Sequence, residues 1–203
     1  RDELCQATGY PPERVHMLPL WFQISSAPGR IGPRWREHLR LPAETRLVLF
    51  VGRLAKNKRL PIVIEALALL RFDEPSVHLV VVGDHREIYH REYDRCRELA
   101  RVRQVADRIH WLGHVPDETL AQAYREADVL VIPSRHEGCC LPVWEAMAAG
   151  LPVIVARSSA LPETMAGAGL SFEPDDEHEL AEQIRRVLRS SRREGETDRK
   201  SVV

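Results

Sequence analysis

The middle of the chain alternates short apolar runs with longer stretches in which apolar and polar residues mix at helical spacing. The apolar runs are rich in β-branched residues, and several end on glycine, which is typical of strands buried on both faces of a sheet. We predict strands at residues 47–52, 77–83, 108–113, 129–132, 152–156 and 169–172. The mixed stretches between and after them predict helices at residues 60–70, 86–106, 117–126, 143–149 and 176–188.

This alternation of strands and helices indicates an α/β protein. Successive βαβ units are right-handed and build a parallel sheet with helices on both faces. We therefore predict a Rossmann-like sheet. Because ligands of such sheets bind at the carboxyl ends of the strands, we expect binding residues in the loops that follow the predicted strands.

The two ends of the chain follow a different pattern. Residues 1–44 contain many prolines and little periodicity, and we interpret them as a connector with the remnant of a missing amino-terminal domain. Residues 45–189 form the predicted domain. Residues 190–203 are polar and lack core residues, so we expect a disordered tail. Within it, residues 198–203 resemble the translation of a sequencing adapter, which indicates an artefact.

Composition argues against several classes of protein. The 203 residues carry a formal net charge of -1, whereas nucleic-acid binding normally needs a basic surface. No apolar run approaches the roughly 20 residues of a membrane-spanning helix. The cysteines lack metal-ligand spacing, so we predict free thiols and a cytoplasmic protein. The cysteines are Cys5, Cys96, Cys139 and Cys140.

A basic loop follows the first predicted strand. The strand ends at Gly52, Arg53 comes next, and Lys58 lies in the same loop. The forked guanidinium of Arg53 and the point charge of Lys58 are suited to holding a diphosphate. From this segment alone, a diphosphate clamp and a solvated basic loop are equally supported. No second glycine follows, so the loop is neither a dinucleotide fingerprint nor a P-loop.

The loop after the fourth predicted strand carries two glutamates around a helix start. Glu137 lies in the loop, Pro142 opens the helix, and Glu145 follows about one turn later. Backbone donors and the helix dipole make this start a candidate phosphate site, and the two carboxylates are suited to flanking hydroxyl groups. Either glutamate taken singly also fits a turn or a helix-dipole role.

Residues 137–153 read E-G-C-C-L-P-V-W-E-A-M-A-A-G-L-P-V, which resembles the signature E-G-F-G-L-P-x-x-E-A-M-A-x-G-x-P-V of family 4 glycosyltransferases. These are retaining, two-domain enzymes of the GT-B fold. Residues 52–58 match the family's G-R-L-x-x-x-K phosphate clamp, and residues 111–115 match its nucleobase-pocket strand. The likeness runs in the expected order over about residues 11–188. It implies that this chain is the carboxyl-terminal, donor-binding half of such an enzyme.

The resemblance also implies a role for each matching residue. Arg53 and Lys58 hold the donor diphosphate and neutralise the leaving group, and Glu137 contacts the transferred sugar; these three are the candidate catalytic residues. Glu145 accepts hydrogen bonds from the ribose hydroxyls, and the main chain near Leu112 contacts the base. The complete predicted donor site consists of Gly52, Arg53, Lys58, Leu112, Glu137, Gly138, Cys139, Cys140, Leu141 and Glu145.

Two cysteines depart from the family pattern. Cys139 and Cys140 stand where the family usually has phenylalanine and glycine. A Cβ at position 140 is expected to narrow the approach of the backbone to the donor.

The expected substrate is a nucleotide-sugar, and no cofactor or metal is expected. No D-x-D motif stands beside a strand end, and we interpret Asp175 and Asp176 as capping the last helix. The donor is a UDP-, GDP- or ADP-sugar, from which a hexosyl group is transferred with retention of configuration.

The predicted partner is the missing amino-terminal domain, without which the chain is expected to bind donor at best. Peripheral membrane contact through that domain stays open. Two alternatives also stay open: a sugar-nucleotide epimerase of the same two-domain architecture, and a non-catalytic nucleotide-sugar-binding module.

Overall fold

The computed structural model describes residues 2–16 and 35–200 and contains a six-stranded, wholly parallel sheet. All the predicted strands are present, each within a residue or two of its predicted bounds, which confirms the Rossmann-like α/β fold. The strands are β1 (Arg46–Val51), β2 (Val77–Val82), β3 (Ile109–Gly113), β4 (Val129–Ile132), β5 (Val153–Ala156) and β6 (Leu170–Phe172).

The strand order is β3-β2-β1-β4-β5-β6, which is the doubly wound arrangement. β1 and β2 run in register from Arg46 opposite Val77 to Val51 opposite Val82. The central strands consist largely of buried valine, leucine and isoleucine, because helices exclude water from both faces. This burial explains why the sequence shows continuous apolar runs where a half-exposed strand would alternate.

The helices form two layers. α3 contacts both α4 and α8 on one side, and α2, α5, α6 and α7 form a second set of neighbours. The helices are α1 (Asp2–Thr8), α2 (Trp35–His38), α3 (Leu60–Leu70), α4 (His90–Val102), α5 (Asp117–Glu126), α6 (Leu141–Ala148), α7 (Leu161–Met165) and α8 (Glu177–Lys200). Short 3-10 turns occur at Pro12–Arg14, Lys56–Lys58, Glu87–Tyr89 and Ala106–Arg108.

The helix that follows β4 ends as its sequence predicts. Gly150 adopts a φ of +72° just after α6, where glycine avoids the strain of a left-handed residue. Its amide donates to the Met147 carbonyl at 3.0 Å, and the Leu151 amide donates to the Ala146 carbonyl at 2.9 Å. These two bonds form a Schellman motif, which turns the chain directly into β5.

The packed domain begins earlier than the predicted boundary at residue 45. Trp35 is 6% exposed, and its amide donates to Glu126 Oε2 at 2.7 Å. The sequence did not predict α2, which contains Trp35, because a single buried tryptophan in a proline-rich segment produces no periodic pattern. The predicted connector also contains α1, and its residues 17–34 lie outside the described part of the chain.

The carboxyl-terminal end also differs from its prediction. The last helix, α8, continues to Lys200, beyond its predicted end at residue 188, and the expected disorder of residues 190–203 stays a prediction. The tail is rich in arginine, glutamate and lysine, which favour helix intrinsically, and it extends a helix already anchored by buried Leu180 and Leu188. Residues 201–203 lie outside the described part of the chain. Among the described helices, none is both long and apolar enough to cross a membrane.

Candidate functional site

The crevice of this sheet lies where the strand order reverses. β1 and β4 are neighbours, yet β1 leads to β2 on one side and β4 leads to β5 on the other. Ligands of doubly wound sheets bind outside the carboxyl ends of the strands at such a point. The loops after β1 and β4 border it, and they are the two loops that carry the predicted cations and Glu137.

Lys58 and Glu137 meet across this crevice. The Lys58 Nζ lies 2.5 Å from Glu137 Oε1, and the two side chains are 18% and 11% exposed. The aliphatic part of Lys58 passes over Gly52, since a Cβ built on Gly52 would lie 3.7 Å from Lys58 Cδ. The structure therefore brings together three of the predicted site residues, with the lysine charge balanced by the glutamate.

The backbone of Glu137 is held from the loop after β5. Its amide donates to Ser159 Oγ at 3.2 Å, and Ser159 Oγ donates to the Glu137 carbonyl at 2.8 Å. On the other side of the crevice, the Arg135 amide donates to the Asn57 carbonyl at 2.8 Å. The loops after β1, β4 and β5 are thus joined by main-chain contacts, which limit how far Lys58 and Glu137 can separate.

A second ion-pair group, the Asp175 clasp, consists of Asp175, Arg59 and Arg135. Arg59 Nε donates to Asp175 Oδ1 at 2.6 Å, and Arg135 Nε donates to Asp175 Oδ2 at 3.0 Å. Burial acts to raise the pKa of Asp175, but the hydrogen bonds from Arg135 and Arg59 prevail and lower it. The clasp links the loops after β1, β4 and β6 beside the Lys58–Glu137 pair.

The predicted capping role applies to one of the two neighbouring aspartates. Asp176 Oδ1 accepts a hydrogen bond from the Glu179 amide at 2.9 Å, as a helix cap does. Asp175 does not cap α8, because both its carboxylate oxygens are engaged by arginines and its φ is +66°. At α5, where the sequence also suggests Asp117 as the cap, Asp117 is the first helical residue and Pro116 occupies the cap position.

Arg53 lies with a different partner from Lys58. Its side chain is exposed, and Nη1 donates to the Tyr89 hydroxyl at 3.0 Å while the guanidinium lies 5.8 Å from the centre of the tyrosine ring. Tyr89 belongs to the loop after β2, so Arg53 extends towards β2 and Lys58 towards β4. The two predicted clamp cations therefore approach the crevice from different sides.

Glu145 lies on the first turns of α6 and contacts α5. The Tyr124 hydroxyl donates to Glu145 Oε2 at 2.6 Å. Tyr124 is 4% exposed, whereas Glu145 is only partly buried. Burial first, and then Glu145, raises the pKa of Tyr124, so the hydroxyl remains a donor.

The start of α6 offers fewer backbone donors than an ordinary helix. Pro142 has no N–H, and the Val143 amide already donates to the Cys140 carbonyl at 3.0 Å. The predicted phosphate contact is therefore limited to the amides of residues 138–141.

Cys140 has an interior side chain. It is 2% exposed, and burial together with nearby Glu137 raises the pKa of its thiol to about 12. The side chain therefore presents almost no surface to the crevice, and the expected effect of its Cβ on the approach to the donor stays a prediction. Cys139 and Gly138 are more exposed, and the lining role of these residues stays a prediction.

The carboxyl ends of β1, β2 and β3 are drawn close together. A Cβ on Gly83 would lie 1.9 Å from the Gly52 carbonyl oxygen, so only glycine fits at position 83. The Gly83 amide donates to the Gly113 carbonyl at 2.9 Å, next to the partly buried Leu112. The contact of the Leu112 main chain with a base stays a prediction.

Several polar contacts at the site were not predicted from sequence. Tyr124 lies in an amphipathic segment and Tyr89 in an irregular one, where an aromatic residue usually has only a packing role. Ser159 lies in a loop, where serine is common. For Tyr89 and Ser159, the position after a strand was the available signal. The partners of all three residues lie far away in the chain, and only the fold brings them together.

The sequence profile of the family described as Glycosyl transferases group 1 matches residues 32–201. The D-inositol 3-phosphate glycosyltransferase of Acidothermus cellulolyticus is 31% identical over 192 residues, which cover 92% of this chain and 43% of that protein.

Solved structures give the same result for the fold. Sucrose-phosphate synthase of Thermosynechococcus elongatus superposes with a TM-score of 0.67 and 34% identity, over 75% of this chain and 38% of its own. The Anabaena protein HepE, solved in complex with UDP-glucose, has a TM-score of 0.71 at 24% identity, over 77% of this chain and 42% of its own. The chain thus spans less than half the length of these proteins, and the matches confirm the predicted fold class and resemblance.

Proposed function

Since the chain belongs to the glycosyl transferases of group 1, we propose that it is the donor-binding domain of a retaining glycosyltransferase. The proposed substrate is a nucleotide-sugar, from which a hexosyl group passes to an acceptor. One observation carries the proposal: Lys58 and Glu137 form an ion pair at the point of the sheet where ligands bind.

Donor binding proceeds by exchange of partners in this pair. The diphosphate brings negative charge to Lys58 and displaces Glu137, whose carboxylate is then available to accept hydrogen bonds from sugar hydroxyls. Arg53, which is exposed and bonded only to a neutral tyrosine hydroxyl among its described side-chain hydrogen bonds, turns to the diphosphate at little cost. Both cations thus gain an anionic partner when the donor is bound.

The same cations serve the chemical step. When the bond between the anomeric carbon and the phosphate oxygen breaks, the bonding electrons stay on the oxygen and negative charge builds on the nucleoside diphosphate. Fixed positive charges stabilise that developing charge, because they need little rearrangement during the reaction. Retention requires no strong protein nucleophile in this proposal, and we assign none.

The nucleotide-sugar assignment draws support from the Anabaena neighbour, which was solved with UDP-glucose. UDP-, GDP- and ADP-sugars remain the candidate donors. Binding without a metal or cofactor is proposed, since Lys58 and Arg53 supply the charge that a divalent ion would otherwise provide. The acceptor and the amino-terminal domain that binds it are the proposed partners.

Calorimetric titration with UDP, GDP and ADP, in the presence and absence of EDTA, tests this function. At least one of the three should bind, with an affinity that EDTA does not change. Arg53→Ala combined with Lys58→Ala should weaken that binding by about 100-fold, because two charge-assisted contacts are lost.

Lys56→Ala is the matched control, since Lys56 is an exposed lysine of the same loop and carries no assigned contact. Its affinity should stay within about twofold of the parent, as expected for a surface charge. Absence of binding by all three nucleotides to a folded chain overturns the donor site. Binding that survives the double substitution overturns the assigned clamp.

A further inference from the structure

Tyr124 is placed as if to support a ligand-binding carboxylate. It lies near the end of α5, a helix that contributes no other residue to the predicted donor site. Its ring is buried, and its hydroxyl donates to Glu145 Oε2 at 2.6 Å across the α5–α6 contact. Glu145 is partly exposed, so the hydrogen bond joins an interior donor to the carboxylate of a residue that solvent reaches.

This bond restricts a flexible side chain. A glutamate has three rotatable side-chain bonds, and an exposed glutamate samples many directions. With Oε2 held by the buried hydroxyl, Oε1 points in one direction and keeps its capacity to accept further hydrogen bonds. Because its pKa is raised, the Tyr124 hydroxyl stays protonated around neutral pH and remains a hydrogen-bond donor to Glu145.

We propose that Tyr124 is a positioning residue that makes the donor site selective for the ribose hydroxyls of the nucleotide, by fixing the carboxylate of Glu145. The inference rests on the proposed function, because Glu145 is assigned to the ribose only as part of the donor site. It adds a residue and a physical cause to that assignment: selectivity arises from a carboxylate that is already oriented before the donor binds.

The size of the effect follows from the type of hydrogen bond. A ribose hydroxyl that donates to the Glu145 carboxylate forms one of the stronger types of hydrogen bond in proteins. A 2′,3′-dideoxyribose has no hydroxyl that can form this bond. The unmodified chain should therefore bind a ribonucleoside diphosphate at least about tenfold more tightly than its 2′,3′-dideoxy counterpart. A merely structural tyrosine hydroxyl would affect stability and leave this ratio unchanged.

The experiment measures the ratio of the two dissociation constants by calorimetry for UDP and 2′,3′-dideoxy-UDP, and likewise for the GDP and ADP pairs. In Tyr124→Phe the ratio should fall by about fivefold, with the affinity for the dideoxy compound unchanged within about twofold. Tyr10→Phe, which alters an exposed tyrosine outside the packed domain, should keep the parent ratio.

Glu145→Gln provides a second variant, whose ratio should also fall. The variant that combines Glu145→Gln with Tyr124→Phe should fall no further than either single variant, because both changes act through the same carboxylate. A ratio that is unchanged in Tyr124→Phe, or in Glu145→Gln, overturns the inference. So does a parent chain that binds both compounds equally, and this result leaves the proposed donor site intact. A parent chain that binds none of the ribonucleotides overturns both.

Discussion

The strands carry similar charged residues at both ends, but in different arrangements. We call the side of the sheet where the strands begin the amino edge and the side where they end the carboxyl edge. At the amino edge, Asp128 accepts hydrogen bonds from Arg36 at 2.9 Å, from Arg46 at 2.7 Å and from the Leu47 amide at 2.7 Å. Its side chain is 10% exposed. Three donors therefore occupy both oxygens of one carboxylate, and little of that carboxylate is left for a ligand.

At the carboxyl edge, the Lys58–Glu137 pair is simpler, although its carboxylate is 11% exposed and so about as buried as that of Asp128. Lys58 and Glu137 bond to each other through single atoms, and Arg53 is exposed beside Tyr89. A pair of this kind can exchange its partners for a charged ligand without leaving a buried group unsatisfied. We infer that the charges around Asp128 stabilise the fold, while Lys58, Glu137 and Arg53 can exchange partners for a ligand. The Asp175 clasp, with both carboxylate oxygens engaged, resembles the Asp128 network.

Asp128→Ala should have the largest effect on stability. It leaves two arginines and a backbone amide without their acceptor in a nearly buried position, which should lower the free energy of unfolding by about 3 kcal/mol. Urea denaturation measures this loss. Asp94→Ala, at an exposed aspartate paired with His90, should change the free energy by less than about 0.5 kcal/mol. Equal losses in the two variants would contradict the structural role of the amino edge.

Lys58→Met should show the reverse pattern. Loss of the charge that is proposed to contact the diphosphate should weaken nucleoside diphosphate binding by about 30-fold, or about 2 kcal/mol. The free energy of unfolding should fall by only about 1 kcal/mol, because Glu137 can turn towards solvent once its partner is removed. Calorimetry and urea denaturation on the same preparation compare the two effects, and a larger loss in stability than in binding would place Lys58 with the structural edge.

The fold and the outline of the site were predictable from sequence for separate reasons. Continuous valine- and leucine-rich runs identify buried strands wherever helices cover both faces. Arg53, Lys58 and Glu137 were predictable because each follows a strand, and the carboxyl ends of parallel strands meet at one edge. Chain order alone therefore gives the position of the crevice, and the structure adds that Lys58 and Glu137 touch.

The supporting residues were not predictable, because their signals are those of ordinary packing or capping. Tyr124 has the position of a core residue on an amphipathic helix, and only the approach of α6 shows that its hydroxyl meets Glu145. Asp175 has the local sequence of a helix cap, but its left-handed backbone directs it to Arg59 and Arg135. Such contacts depend on the relative placement of loops far apart in sequence.

A pair of histidines at the amino edge makes the stability of the fold depend on pH. His78 and His110, each the second residue of its strand, stack with Nδ1 and Nε2 3.0 Å apart, near the amino ends of β2 and β3. Burial first, and then His78, lowers the pKa of His110 to about 4, and burial also lowers that of His78. Between about pH 6.5 and 4 the unfolded chain therefore binds protons that the folded chain does not.

The free energy of unfolding should consequently fall as the pH decreases from 6.5 to 4. After discounting for partial exposure, the contribution of the pair is on the order of 1–2 kcal/mol. Urea denaturation at several pH values measures the slope, which should become shallower in His110→Phe. His178→Gln, which removes an exposed histidine on α8, should retain the parent slope. If the free energy of unfolding depends on pH with the same slope in all three proteins, the histidine pair does not contribute to stability at the amino edge.

Glu137→Gln should give the smallest effect, and one whose sign is informative. In the free chain Glu137 balances the charge of Lys58, so a nucleoside diphosphate must displace it. A neutral amide of the same size competes less, and we expect UDP, or whichever nucleoside diphosphate binds, to bind about threefold more tightly, a gain of about 0.6 kcal/mol. The corresponding nucleotide-sugar should lose affinity relative to the diphosphate, because the amide accepts hydrogen bonds from sugar hydroxyls less strongly than a carboxylate does.

Opposite changes for the diphosphate and the nucleotide-sugar would therefore separate the two roles assigned to Glu137, as counter-charge and as sugar contact. Glu163→Gln, at an exposed glutamate on α7, controls for the change in net charge and should move both affinities equally and by less than about twofold. If Glu137→Gln weakens both ligands alike, Glu137 does not compete for Lys58, and the pair at the carboxyl edge is as closed as the network around Asp128.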